Sequence, residues 1–232
     1  RNKFIAYNLP MSIAKGKLVF HSDQITGNTE VDKVWLKEKD VTNLRIGYIP
    51  SQSDRTRKYF QQKVEWYKQF GITDMVYFDL DQEYDEQKIT ELLGCQAIHL
   101  SGGDTYQFLH SIKKRNFAST LQNYFKQGGT LVGVSAGSIV MTSSIDITNL
   151  YQDDNTTGLT DFSSLGLVDF EFFAHLNDRE QWVKTLQDYS TRNNGRVIYA
   201  CNDGDGIIVS DNEIQLFGNI LKIQNGDIVK TR

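Results

Sequence analysis

The chain is poor in several things at once. It has 2 Cys, 2 Pro and 4 His in 232 residues, and 25 Lys+Arg stand against 29 Asp+Glu, so no charge dominates. Cys95 and Cys201 form neither a disulfide framework nor a metal-ligand spacing. No metal and no cofactor is therefore expected, and a reduced, cytoplasmic compartment is. With a pI near 5.6, the chain shows no electrostatic footprint for nucleic acid and no basic membrane patch. No run is long and apolar enough to span a bilayer, and the opening residues do not read as a signal segment. There is no low-complexity linker, internal repeat or composition break, so one domain over residues 1–232 is expected. A chain of this length can bury a full core, and 13 Phe, 11 Tyr and 3 Trp supply it.

What is present is an alternation of apolar runs and amphipathic stretches. Lys17–His21, Leu44–Pro50, Asp74–Leu80, Ala97–Leu100 and Thr130–Val134 read as strands. Between them, Asp32–Lys39, Asp54–Phe70, Asp85–Leu93, Thr105–Ile112 and Phe117–Gln127 read as helices, the last stopped by Gly128-Gly129. Strands separated by helices of this length predict an α/β fold of flavodoxin-like type, its mostly parallel sheet covered by helices on both faces. The last third predicts a polar surface excursion over Asp146–Ser164, a strand over Val168–Ala174, a helix over Asp178–Arg192 and a strand over Arg196–Cys201. A β-rich C-terminal end follows, with runs at Gly206–Ser210, Glu213–Phe217 and Leu221–Ile223 and a tight turn at Asn225-Gly226.

One segment carries chemistry. Gly133-Val134-Ser135-Ala136-Gly137 matches G-x-S-x-G, in which a strand turns sharply into a helix with a strained serine at the apex. Small residues on either side of it let neighbouring chains approach. The alternative is a tight strand–helix turn around an ordinary serine. A nucleophilic serine needs a base. His99 lies within an apolar strand and reads as a packed core residue, His110 as a solvated helix residue, and His21 as either a sheet-edge or a surface residue. His175 ends the apolar run at Ala174 and is the one histidine after Ser135, which makes it the candidate base. For the orienting acid, Asp203 stands in the turn after Arg196–Cys201, with Asp205, Asp146 and Asp153 as rivals. Backbone N–H groups at Gly102, Gly103 and Ala136 are the candidate oxyanion donors. The Gly102-Gly103 loop lacks both the lysine of a P-loop and dinucleotide-binding spacing.

Leu100-Ser101-Gly102-Gly103-Asp104-Thr105, Gly133-Val134-Ser135-Ala136-Gly137-Ser138, Ala174-His175 and Asn202-Asp203-Gly204 together resemble, in this order, the dipeptidase E and cyanophycinase family of serine peptidases. The resemblance runs from about Leu18 to Ser210. It implies the class-I glutamine amidotransferase-like fold, with serine at the elbow where amidotransferases carry cysteine. It also implies Ser135 as nucleophile, His175 as general base and Asp203 as the acidic partner. The implied substrates are small peptides, N-terminal aspartyl dipeptides or β-linked aspartate among them, with Arg55, Arg57 and Arg179 as cations to hold the acid. Two positions depart from the family. Ala174 replaces a proline, and no acid stands at Thr148-Asn149-Leu150, where the family assigns an aspartate. Two other readings stay open: an esterase of α/β-hydrolase type, and a non-catalytic amidotransferase-like binding module. The oligomeric state is not indicated by the sequence.

Overall fold

The period-two pattern of Leu18, Val19 and Phe20 sets the architecture, because it sends successive side chains to opposite faces of one strand. Leu18 and Phe20 enter one apolar cluster, and Val19 enters another on the far face. Leu131 and Val132 divide in the same way, as do Ile98 and Ala97. A sheet apolar on both faces must be covered on both. The computed structural model describes residues 4–6, 16–37, 39–151, 153–177, 180–211 and 213–229.

The strands are β1 Phe4–Ala6, β2 Lys17–His21, β3 Arg45–Ile49, β4 Asp74–Tyr77, β5 Ala97–Leu100, β6 Thr130–Val134, β7 Glu171–Phe173, β8 Ile198–Ala200, β9 Gly206–Ser210, β10 Glu213–Phe217, β11 Leu221–Gln224 and β12 Asp227–Val229. The helices are α1 Glu30–Leu36, α2 Lys58–Lys68, α3 Ile89–Leu93, α4 Thr105–Lys114, α5 Ala118–Lys126, α6 Ala136–Val140 and α7 Glu180–Arg192. Eight strands form one sheet in the order β1-β10-β9-β2-β6-β5-β3-β4, and β12-β11-β8-β7 form a second. From β2 to β4 every pairing in the larger sheet is parallel, while β9, β10 and β1 extend it antiparallel. Trp35 of α1 and Tyr67 of α2 are buried on one face; Phe108 of α4, Leu121 of α5 and Ile139 of α6 are buried on the other. This is the expected α/β class with a β-rich end. The parallel strands all deliver their carboxyl ends to one edge, where the loops after β2, β3, β5 and β6 meet.

Several boundaries differ from the sequence reading, each for a local reason. Helix α2 starts at Lys58 rather than Asp54, because the Asp54 carboxylate accepts from Tyr59 N–H and Thr56 Oγ and closes a turn first. Strand β4 ends at Tyr77 rather than Leu80, because Asp79 accepts the backbone N–H groups of Asp81 and Glu83 and turns the chain. The polar stretch after Ile145 is not a surface excursion throughout. Asp146–Tyr151 is a 3-10 helix with Ile147 and Thr148 buried. The Asn225-Gly226 turn joins β11 to β12 with φ of 53° and 81°, as a tight hairpin requires. Strands β1 and β12, and the split into two sheets, have no counterpart in the sequence reading.

Candidate active site

Strand β6 is buried along its length and ends at Val134; the next residue, Ser135, has φ 48° and ψ −109°. A side chain in this region is strained, and the surroundings must hold it there. They do so through close packing at two glycines. A Cβ on Gly133 would lie 2.6 Å from the Gly137 carbonyl, and one on Gly137 would lie 2.0 Å from the Leu100 carbonyl oxygen of β5. The Ser135 N–H donates to the His21 carbonyl at 2.9 Å, and Ser138 Oγ donates to the same oxygen at 2.9 Å. The turn is thus clamped between β5 and β2.

His175 follows β7 and arrives from the smaller sheet, itself at φ 56°. Its Nε2 lies 2.8 Å from Ser135 Oγ, and its Nδ1 lies 2.6 Å from Asp203 Oδ1. An ionised carboxylate only accepts, so Nδ1 carries the proton and donates to Asp203; Nε2 is left to accept from the serine hydroxyl. Burial alone would raise the Asp203 carboxyl. Hydrogen bonds from Asn177, His175 and Ser22, with the imidazole beside it, outweigh that and hold it below the usual aspartate range.

Three residues absent from the sequence reading build this line. Ser22 Oγ accepts the His175 N–H at 2.7 Å and donates to Asp203 Oδ1 at 3.2 Å. Asn177 Nδ2 donates to Asp203 Oδ2 at 2.7 Å, and its Oδ1 accepts the Asp203 N–H at 2.8 Å. Tyr151 Oη accepts the Ala174 N–H at 2.8 Å and donates to the Ala174 carbonyl at 3.0 Å, its ring stacked on Phe173. A proline at position 174 would lack that N–H, which gives the departure at Ala174 a structural reason. Ser22 directly follows an expected strand end and Asn177 lies three residues beyond another, and those positions are the signal that could have found them.

The rival acids are engaged elsewhere. Asp205 Oδ2 accepts from the N–H and the side chain of Asn202, Asp146 pairs with Ser144, and Asp153 is exposed. At the family's usual acid position, Asn149 accepts from Tyr106 Oη. His99 is a core residue whose Nδ1 meets Tyr67 Oη at 2.9 Å, and burial pushes its proton affinity well down. His21 is buried, not at the surface, with Nε2 3.4 Å from Asp32 Oδ1.

The glycine loop after β5 lies against the elbow: a Cβ on Gly102 would sit 3.6 Å from Ser135 Cβ. The hydroxyls of Ser51 and Ser101 both donate to the Gly102 carbonyl, at 3.0 and 2.9 Å. In a trans peptide the C=O and the following N–H point opposite ways, so this anchoring turns the Gly103 N–H to the other side. Gly103 has φ 127°, and a Cβ there would meet Ser51 Oγ at 2.3 Å. Among the described residues the N–H groups of Gly102, Gly103 and Ala136 have no acceptor. Next to this loop a cavity of about 420 Å³ opens, lined by Gly102, Gly103 and Val134 and by Ser51, Asp23 and Lys63. Burial pushes the Tyr48 phenol beneath it up to about 12. Of the expected cations, Arg55 bonds Gln82 and Arg57 pairs with Glu83, while Arg179 lies outside the described residues. No group of His, Cys, Asp and Glu among the described residues is arranged to hold a metal, and no described helix is long and apolar enough to cross a membrane. Both cysteines are buried and free.

Residues 23–217 match the model of peptidase family S51. An uncharacterized peptidase of Pasteurella multocida strain Pm70 is 32% identical over 161 residues, covering 66% of this chain and 76% of the relative. Peptidase E of Nostoc sp. strain PCC 7120 is 23% identical over 188 residues, covering 75% and 73%. In structure, the chain is similar to a peptidase from an acI-B1 Actinobacterium with TM-score 0.65 and 14% identity, covering 90% of this chain and 91% of that one. It is also similar to a Listeria monocytogenes EGD-e protein with a provisional peptidase E assignment, with TM-score 0.68 and 18% identity, covering 90% and 98%.

Proposed function

Since the chain belongs to peptidase family S51 and is a peptidase, we propose that it hydrolyses small peptides through an acyl-enzyme on Ser135. Family membership sets aside both the α/β-hydrolase esterase and the non-catalytic module. The observation that carries the proposal is the hydrogen-bonded line from Ser135 Oγ through His175 to Asp203, with both Ser135 and His175 at positive φ.

Ser135 Oγ attacks the scissile carbonyl carbon while its proton passes to His175 Nε2. Asp203 keeps the imidazole in the tautomer that can accept that proton and stabilises the imidazolium that results. Negative charge on the former carbonyl oxygen is met by the unpartnered N–H groups of Gly103 and Ala136, with Gly102 beside them, at the N-terminus of α6. Collapse breaks the C–N bond, and His175 gives its proton to the leaving amine. A water, deprotonated by the same nitrogen, then attacks the ester and releases the acid. Dipeptides with an N-terminal aspartyl residue are the proposed substrates, in line with the family resemblance.

The test is turnover of a dipeptide panel containing α-aspartyl, β-aspartyl and neutral N-terminal residues, with wild type against Ser135→Ala. Cleavage that falls by several orders of magnitude in the variant supports the proposal. Equal cleavage by both proteins overturns it.

A further inference from the structure

The loops after β3 and β5 converge on one oxygen. The Gly102 carbonyl accepts the Ser51 hydroxyl at 3.0 Å and the Ser101 hydroxyl at 2.9 Å. A carbonyl oxygen has two lone pairs, and here both are filled. Ser101 Oγ also accepts the Ser51 N–H at 2.8 Å, which fastens the two loops to each other, and both serines are buried. The main-chain bonds between β3 and β5 end where the Ser101 N–H donates to the Ile49 carbonyl at 3.0 Å. Beyond that point the hydroxyls take over.

What they hold is a peptide that is otherwise free to turn over. Gly102 and Gly103 carry no Cβ, so opposed rotations on either side of their shared peptide meet little steric resistance. In one orientation the Gly103 N–H is the donor open to an oxyanion on Ser135. In the other the Gly102 carbonyl takes that place and repels it. Gly103 sits at φ 127°, and a Cβ there would lie 2.3 Å from Ser51 Oγ, so the clamp also needs glycine. Ser51 lines the cavity beside Ser135, and a substrate filling that cavity excludes the water that competes for the Gly102 oxygen. We propose that Ser51 and Ser101 are positioning residues for the oxyanion hole, their hydroxyls holding the Gly102–Gly103 peptide with its N–H available to the reacting oxygen. The role of that N–H rests on the Ser135 peptidase reading; the hold on the carbonyl does not.

Ser51→Ala, Ser101→Ala and the double variant are compared with wild type on the dipeptide that wild type cleaves best. An aldehyde analogue of its acyl residue, which adds Ser135 Oγ to form a tetrahedral adduct, reads the oxyanion hole directly. Either hydroxyl alone retains most of the hold, so each single variant is expected to lose about two- to tenfold in kcat. The double variant loses about 10²- to 10³-fold, as removal of an oxyanion donor does, with KM within a few-fold. Aldehyde affinity falls in step with kcat/KM, which a general loosening of the fold would not produce. Thermal melts establish which variants fold, and Ser51→Ala, which keeps every main-chain bond, gives the same reading on a smaller scale. A crystal structure of the double variant is expected to show the Gly102 carbonyl turned over. A double variant within a few-fold of wild type, aldehyde affinity unchanged in Ser51→Ala, or a Gly102 carbonyl still in its original orientation overturns the proposal. Failure of the Ser135 reading is seen separately, as dipeptide turnover that does not depend on Ser135.

Discussion

Asp203 is subject to two opposed influences, desolvation that favours its neutral form and three donors that favour its charge, and the donors win. Its carboxylate therefore stays ionised to a lower pH than a free aspartate and remains an acceptor for His175 Nδ1. Asp203→Asn preserves the shape but replaces one acceptor oxygen with a donor, so the imidazole can flip its proton to Nε2, the nitrogen that must accept from Ser135. The expected result is a fall in kcat of about 10³- to 10⁴-fold, measured on whichever dipeptide wild type cleaves best. Asp205→Asn and Asp153→Asn, which do not reach His175, are expected to leave turnover within a few-fold. A large loss at Asp153 with none at Asp203 would reassign the acid. Ser22 and Asn177 act one step back as positioning residues: they touch His175 and Asp203, not Ser135.

The strand-to-helix turn from β6 to α6 is the element on which the chemistry depends, and its cost is met by close approach to β5. Gly137→Ala would drive a methyl group to 2.0 Å from a backbone oxygen of β5, and a strand carbonyl cannot swing away as a flexible side chain would. We expect a destabilisation of about 1–3 kcal/mol and a melting temperature lower by about 2–4 °C per kcal/mol, together with loss of turnover as Ser135 shifts. A thermal melt and a rate on the same sample would check both; an unchanged rate would mean that the elbow is not under this constraint. The elbow was legible in the sequence because glycine spacing around a serine is a local signal, and so were the helix stops and β-strands of strong period. The lysine at the cavity was not. Lys63 reads as one polar residue on an amphipathic helix, and only the docking of α2 against the end of β2 brings it beside Gln24 and Asp23, about 40 residues away. Strand β1 was missed for the same reason, since it pairs with β10 some 200 residues on.

Across the molecule, one face of the large sheet buries a charged cluster around Asp32. Asp32 accepts from Trp35, Trp66 and Gln24 and lies beside His21. Burial works against its charge, but the His21 charge and these donors prevail, and its proton affinity falls below the 3.8 of a free aspartate. With the folded value depressed, the stabilisation is fully present above the unfolded value and is lost as pH falls through the folded one, below about pH 4. Asp32→Asn leaves several buried donors facing one acceptor oxygen. It should cost about 1–3 kcal/mol at pH 7, a gap that denaturant melts would show shrinking in acid; a gap independent of pH would refute the charged assignment of Asp32. The cluster ties α1 and α2 to the strand whose last carbonyl holds the Ser135 N–H, so fold stability and nucleophile geometry share one support. The central claim, that this support presents a reactive serine, is tested most directly by intact-mass and peptide mapping after exposure to a fluorophosphonate. The account predicts a single phosphonyl adduct on Ser135 in wild type, slowed strongly in His175→Ala and absent in Ser135→Ala. An unlabelled wild-type protein, or an adduct on another residue, would contradict it.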